Sequence, residues 1–182
     1  MIESKNDWLE WVKALLIAVL LAVVIKTYFF TPIIVDGPSM KPTLSDRDQM
    51  IVNKFAYRVG EPKRFDIVVF HASEQKDFIK RIIGLPGEHV AVKDNVLYIN
   101  GEAIEESFLN QNDYLYTWES DFVLEDLPGG YEQIPEGHYL VLGDNRNNST
   151  DSRVFGVIDG DEIVGKTNLI YWPLKRIQIV GE

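Results

Sequence analysis

Apolar residues are distributed along this chain in two ways. Near the N-terminus they form one block, Ala14 to Ile25, without interruption. Carried on to Phe30 the block reaches about 17 residues and encloses Lys26 and Thr27, near the lower limit for a helix that spans a bilayer. Lys26 can snorkel toward the interface. Trp8 and Trp11 before the block, and Tyr28, Phe29 and Phe30 after it, resemble interfacial aromatic belts. The block is apolar all round, whereas a surface helix of a small domain keeps a polar face. Bulky aromatics and no Ala-x-Ala site follow it, which argues against a cleaved leader. We read residues 1–31 as an N-terminal segment with one uncleaved anchor. Lys5 and Lys13 are matched by Glu3, Asp7 and Glu10, so flanking charge favours neither orientation.

After the block, apolar residues come in short β-branched runs. Ile33 to Val35, Gln49 to Lys54, Asp66 to Phe70 and Asp77 to Ile83 read as strands. A meander follows: Val90 to Val92, an Asp94-Asn95 turn, Val96 to Ile99, then Asn100-Gly101, a strong hairpin signal. Strand patterns return at Tyr139 to Leu142 and at Glu162 to Tyr171. Between them, about 105–136, the chain turns acidic, aromatic and weakly periodic, and we read an insertion or cap. No second helix is convincing. The fold class expected is mainly β: an antiparallel domain over 32–182 behind one transmembrane helix.

Composition narrows the function. The 28 acidic against 18 basic residues give a net charge of −10, which argues against nucleic acid as the main partner, since phosphate binding needs a basic face. Cysteine is absent, which removes disulfides, zinc–thiolate sites and cysteine nucleophiles.

Three stretches carry candidate chemistry. In Val35-Asp36-Gly37-Pro38-Ser39-Met40-Lys41-Pro42, turn formers hold one serine in a tight loop leaving a strand. Most such serines only serve the turn. Exposed there, its hydroxyl could act as a nucleophile and its N–H could stabilise an oxyanion. The hydroxyl needs a base. His71, His89 and His138 lie in no triad motif. Lys80 is the better candidate, because alternation sets Phe78, Lys80 and Ile82 on one strand face. At the usual pKa only roughly 0.04% of a lysine is neutral at pH 7, a cost of about 4.6 kcal/mol. Burial can lower the pKa by about 3–5 units. Lys80 can therefore work only if it is buried and has no carboxylate partner. Arg81, on the opposite face, needs a partner of its own. The third stretch, Gly143 to Arg153, alternates Asp and Arg and suits an internally paired, rigid loop that could offer Ser149 to a neighbouring amine. It departs from a calcium loop at Arg146 and Ser149.

Gly37 to Leu44, Phe65 to Phe70, Lys80 to Gly87 and Gly143 to Arg153, in this order after an anchor, resemble the type I signal peptidases, the bacterial membrane-bound leader peptidases. The short chain and single anchor are similar to the Gram-positive branch. The resemblance implies a Ser/Lys dyad endopeptidase without metal or cofactor, in the cell membrane with its catalytic domain outside. It would cut signal peptides from preproteins. It implies Ser39 as nucleophile, Lys80 as general base and Ser149 orienting Lys80 through a hydrogen bond. Asp151 and Arg153 would form a bracing pair. The Ser39 N–H would be one oxyanion donor. Some relatives carry a serine where this chain has Gly37, so the second donor is left open. Ile33, Val35, Asp36, Phe78 and Ile79, on strands 32–36 and 77–80, would flank an extended substrate with small residues at −1 and −3. A non-enzymatic, membrane-anchored β binding domain and another Ser/Lys protease, of the self-cleaving repressor kind, are the alternatives.

Overall fold

The computed structural model describes residues 7–73, 75–109, 118 and 120–180. Helix α1 (Asp7–Tyr28) contains the apolar block. Over Trp8–Tyr28 it is long and apolar enough to cross a membrane, and none of it is buried against the rest of the chain. At 1.5 Å per residue, these 21 residues extend roughly 30 Å, the thickness of a bilayer's hydrocarbon core.

Strand β1 (Phe30–Ile34) starts two residues after α1. It is followed by β2 (Gln49–Asn53), β3 (Ile67–Ser73), β4 (Lys76–Gly84), β5 (Val90–Lys93), β6 (Val96–Ile99) and β7 (Glu102–Ile104). Then come β8 (Phe122–Val123), β9 (His138–Leu142), β10 (Ile158–Asp159), β11 (Ile163–Trp172) and β12 (Gln178–Ile179). The large sheet runs β1-β2-β11-β3-β4-β9-β10, with β12 on β11, and the small sheet runs β7-β6-β5-β8. All pairings are antiparallel. The mainly-β expectation therefore holds.

The expected runs match strands, with shifts at their ends. Val35 falls outside β1 because its N–H and carbonyl pair with Asp48 and Arg47 in a loop. Both meander turns are two-residue loops: Lys93 faces Val96 and Ile99 faces Glu102. Asp94, Asn95, Asn100 and Gly101 all have positive φ, the geometry that matches strand twist. Two single-turn helices, α2 (Ala56–Val59) and α3 (Ser152–Phe155), were not expected. Four residues are too few for a periodic signal.

Within 105–136, residues 110–117 and 119 lie outside the described residues. Several of the described apolar side chains pack inward. Phe122–Val123 pairs with β5. Phe122, Leu124, Leu127 and Ile134 join a core with Ile83, Val90, Leu97, Leu140 and Leu142. This core lies between the small sheet and strands β4 and β9, and it buries one face of β4. A second core, Val35, Met40, Leu44, Met50, Ile67 and Ile170, seats the loop after β1.

Candidate active site

Three chain segments converge near the middle of β4. The β1–β2 loop carries Ser39, β4 carries Lys80, and the loop after β9 carries residues 143–153. Met40 and Leu44 are fully buried, so apolar packing on its C-terminal side pins the serine loop to the sheet. Ser39 itself is only partly covered.

Lys80 is 4% exposed. Its Nζ donates to Ser39 Oγ at 2.9 Å and to the Ile79 carbonyl at 3.0 Å. The Phe78 ring centroid lies 5.0 Å from Nζ. Among the described residues, Lys80 forms no salt bridge. Burial is the main influence and lowers its pKa to about 8, against the weaker upward pull of Asp151 and Asp144. A carboxylate in contact would have cancelled much of that desolvation effect. The two nearest acids are instead engaged with arginines.

These pairs correct the expectation of an internally paired loop. Asp144 leaves the loop to bind Arg81, with Nε–Oδ1 at 2.8 Å and Nη2–Oδ2 at 2.6 Å. Arg146 reaches Glu106, where the closer contact is 2.5 Å. Only Asp151–Arg153 is internal, at 2.8 and 2.9 Å. Asp151 also accepts the Gly143 N–H at 3.0 Å, and Arg153 donates to the Arg146 carbonyl at 2.7 Å. The Asp151 carboxyl, though buried, is held below its usual range by Arg153 and the Gly143 N–H. The loop is thus braced to β4 by Asp144, to residue 106 by Arg146, and to itself by Asp151.

Ser149 is placed differently from expectation. Its hydroxyl is buried, closes no hydrogen bond and does not reach Lys80, whose two acceptors are Ser39 and Ile79. A side-chain carbon on Gly143 would collide with Ser149 and, at 2.5 Å, with the Ser39 carbonyl. The serine loop and the braced loop touch through this gap. Gly143→Ala is expected to cut cleavage at least tenfold, because overpacking here costs about 1–3 kcal/mol. A drop of roughly 2–10 °C in melting temperature should accompany it in a thermal scan.

Gly37 has φ +89, and its N–H donates to Asp46 Oδ1 at 2.9 Å, so it offers no free donor. The Ser39 N–H has no acceptor among the described residues. Ile33, Val35, Asp36, Phe78 and Ile79 line one open cleft of about 520 Å³ with Ser39 and Lys80. Asn148 and Thr150 also line it and were not expected from the sequence. Asp144, Asn145 and Ser152 were missed as well. Their partners, Arg81, Pro38 and the Val141 N–H, are distant in sequence or are backbone groups without a residue signature.

Known proteins carry the same arrangement of sequence. A family model described as "Signal peptidase, peptidase S26" matches residues 8–172. Signal peptidase IB of Staphylococcus aureus is 39% identical over 183 aligned residues, covering 96% of this chain and 94% of the relative. Signal peptidase I of Bacillus caldolyticus is 42% identical over 163, covering 88% and 89%. A crystal structure of a signal peptidase I from Enterococcus faecalis is 40% identical with a TM-score of 0.53, covering 59% of this chain and 97% of that one. With the family pattern running from α1 to the end of β11, the chain belongs to the signal peptidases of peptidase family S26.

Proposed function

We propose that this chain removes signal peptides from exported preproteins, with Ser39 as nucleophile and Lys80 as general base. Family membership makes it a serine endopeptidase. The observation that carries the assignment of residues is the 2.9 Å contact between Lys80 Nζ and Ser39 Oγ, with that amine buried and free of a carboxylate.

Neutral Lys80 takes the Ser39 proton as Oγ attacks the scissile carbonyl, and the ammonium so formed protonates the leaving amine. The released peptide is the mature N-terminus. Lys80, neutral again, accepts a proton from the water that hydrolyses the acyl-Ser39 ester and returns it to Oγ. The Ser39 N–H faces the developing oxyanion. Asp151 and Arg153 hold the loop behind the dyad, and Ser149 fills the space between Gly143 and Asp151. Ile33, Val35, Asp36, Phe78 and Ile79 flank an extended substrate between the segments around β1 and β4, whose small residues at −1 and −3 enter shallow pockets along the cleft.

The second partner is the bilayer. Helix α1 anchors the chain with its catalytic domain on the extracytoplasmic side of the cell membrane, where signal peptides emerge. The outer face of the sheet next to α1 supports a place against the bilayer. Pro32, Ile51, Leu169 and Ile179 are directly paired across β1, β2, β11 and β12, so they share one face. Leu169 and Ile179 are exposed, with Ile34 and Trp172 on the neighbouring row. Anchoring beside the emerging substrate raises its effective concentration at Ser39.

The test is cleavage of a preprotein with an Ala-x-Ala site by the detergent-solubilised chain, with mass spectrometry locating the cut. Cutting after that site by the parent and none by Ser39→Ala is expected; cutting that survives Ser39→Ala would sink the assignment. The pH profile follows from Lys80. Only its neutral form acts, so kcat/KM of the free enzyme should rise about tenfold per pH unit below about 8 and level off above it. A profile flat from pH 6 to 9 would exclude Lys80 as the base.

A further inference from the structure

Ser39 lies between two peptide planes, and one residue outside the cleft touches both, one through its backbone and the other through its side chain. Asn145 is 4% exposed. Its backbone N–H donates to the Ser39 carbonyl at 3.0 Å. Its Nδ2 donates to the Pro38 carbonyl at 3.2 Å. That carbonyl belongs to the Pro38–Ser39 peptide, whose other end is the Ser39 N–H. It also accepts from the Lys41 N–H at 3.1 Å.

We propose that Asn145 is a positioning residue that aims and polarises the Ser39 N–H as an oxyanion donor. This deepens the proteolytic reading above and rests on it. The Pro38–Ser39 bond is not one of the chain's cis peptides. In a trans peptide the N–H points opposite to the C=O, and the six atoms are coplanar. Fixing the carbonyl oxygen from behind therefore fixes where the N–H points in front. Two donors on the same carbonyl also strengthen the donor at the other end of the amide, because hydrogen bonds in a chain polarise one another. The Ser39 N–H itself has no acceptor among the described residues, so it is held ready and unspent.

Two further observations single out this side chain. Gly37 cannot share the task, since its N–H is taken by Asp46. Asn145 Oδ1 is buried with no hydrogen-bond partner. A buried amide with an unsatisfied acceptor is costly to keep for packing alone. Its orientation is set by the Pro38 oxygen, which would repel Oδ1 if the amide were turned. The amide therefore contributes a donor and nothing else, and its target is the peptide of the nucleophile. Asn145 does not line the cleft, so it touches no substrate and acts through Ser39.

The test compares the full-length chain in detergent with Asn145→Ala and Asn145→Leu. Leucine keeps the shape, retains the backbone N–H to Ser39 and removes both the donor and the unsatisfied acceptor. Deleting an oxyanion donor outright costs about 10²–10³ in kcat, and misaiming one should cost about 10–100-fold. Both variants should lose that much kcat, with KM within about twofold and the pH midpoint unmoved. The inhibition constant of a signal-peptide aldehyde ending in Ala-x-Ala, which forms a tetrahedral adduct on Ser39, should rise by the same factor. Affinity for the cleaved signal peptide should not change. The melting temperature of Asn145→Leu should stay level or rise. A folded Asn145→Leu with kcat within twofold of the parent overturns the proposal. So does a loss expressed in KM, in product affinity or in a shifted pH midpoint, or one that tracks lost stability in both variants. A parent chain that cleaves no preprotein overturns the proteolytic reading and this one with it, whereas an active parent with unaffected variants overturns only the role of Asn145.

Discussion

Replacing Lys80 by methionine is expected to abolish cleavage and, at neutral pH, to make the folded domain more stable. Lys80 is buried, and its pKa is lowered to about 8 from 10.5. The sign follows from proton counts. Between pH 8 and 10.5 the unfolded chain carries a proton on Lys80 that the folded chain has lost. The stability of the parent therefore rises with pH through that window, and the penalty is fully present below it. A shift of about 2.5 units corresponds to roughly 3 kcal/mol. Methionine fills similar space without the charge, although it gives up the contact with Phe78. The variant should melt several degrees above the parent at pH 7, and the gap should close toward pH 10.5. Thermal scans at the two pH values check this, alongside cleavage assays. A Lys80→Met protein that melts below the parent at pH 7 would show that the amine is not strained by burial, and the case for a general base would fall with it.

Asp144→Ala should have the largest effect on stability. Arg81 and Asp144 are both fully buried, and Arg81 also donates to the Phe65 carbonyl at 2.9 Å and stacks on Phe108 at 3.8 Å. Removing one member of such a pair leaves an uncompensated charge, at a cost of about 3–5 kcal/mol. For a domain of this size, melting should fall by roughly 6–20 °C. Activity should fall as well, because Arg81 adjoins Lys80 in β4 and Asp144 lies between Gly143 and Asn145. Changing both partners, to Arg81→Met with Asp144→Leu, should recover much of the stability. Chemical denaturation of the two single variants and the double variant measures the coupling. An Asp144→Ala protein within about 2 °C of the parent would mean that the pair does not hold the loop.

Some of this site was legible in the residues. Lys80 stands between Phe78 and Ile82, and a cation so placed on a strand face has to be desolvated. Ser39 sits among Gly37, Pro38 and Pro42, which can only make a loop. Each alone has a bland explanation, and four motifs in one order pointed to a family. That membership removes the binding-domain and repressor-type alternatives. Ser149 shows where the reading stopped. Its place in the motif implied a hydrogen bond to Lys80, but the amine turns to the carbonyl of Ile79 and the hydroxyl is wedged against Gly143. In the 105–136 stretch, read as an insertion or cap, the packing of Phe122, Leu124 and Leu127 into a core was not legible, because a two-residue strand is too short to show alternation.

Local chemistry was enough to point to the apolar helix, the strands of the meander and the candidate nucleophile and base. Apolar length, β-branching and turn residues act on their neighbours, and their effects can be read within a few positions. The pairing of buried polar groups was settled only in three dimensions. Asp144 meets Arg81 across 63 positions, Arg146 meets Glu106 across 40, and Asn145 meets Pro38 across 107. A buried charge must find a partner, but any of 28 acids would satisfy that rule, and only the crossing of β4 with the loop after β9 selects among them. Among the described residues, the same crossing engages Asp144 with Arg81 and Asp151 with Arg153 and leaves Lys80 without a salt-bridge partner, as the proposed role of its amine requires.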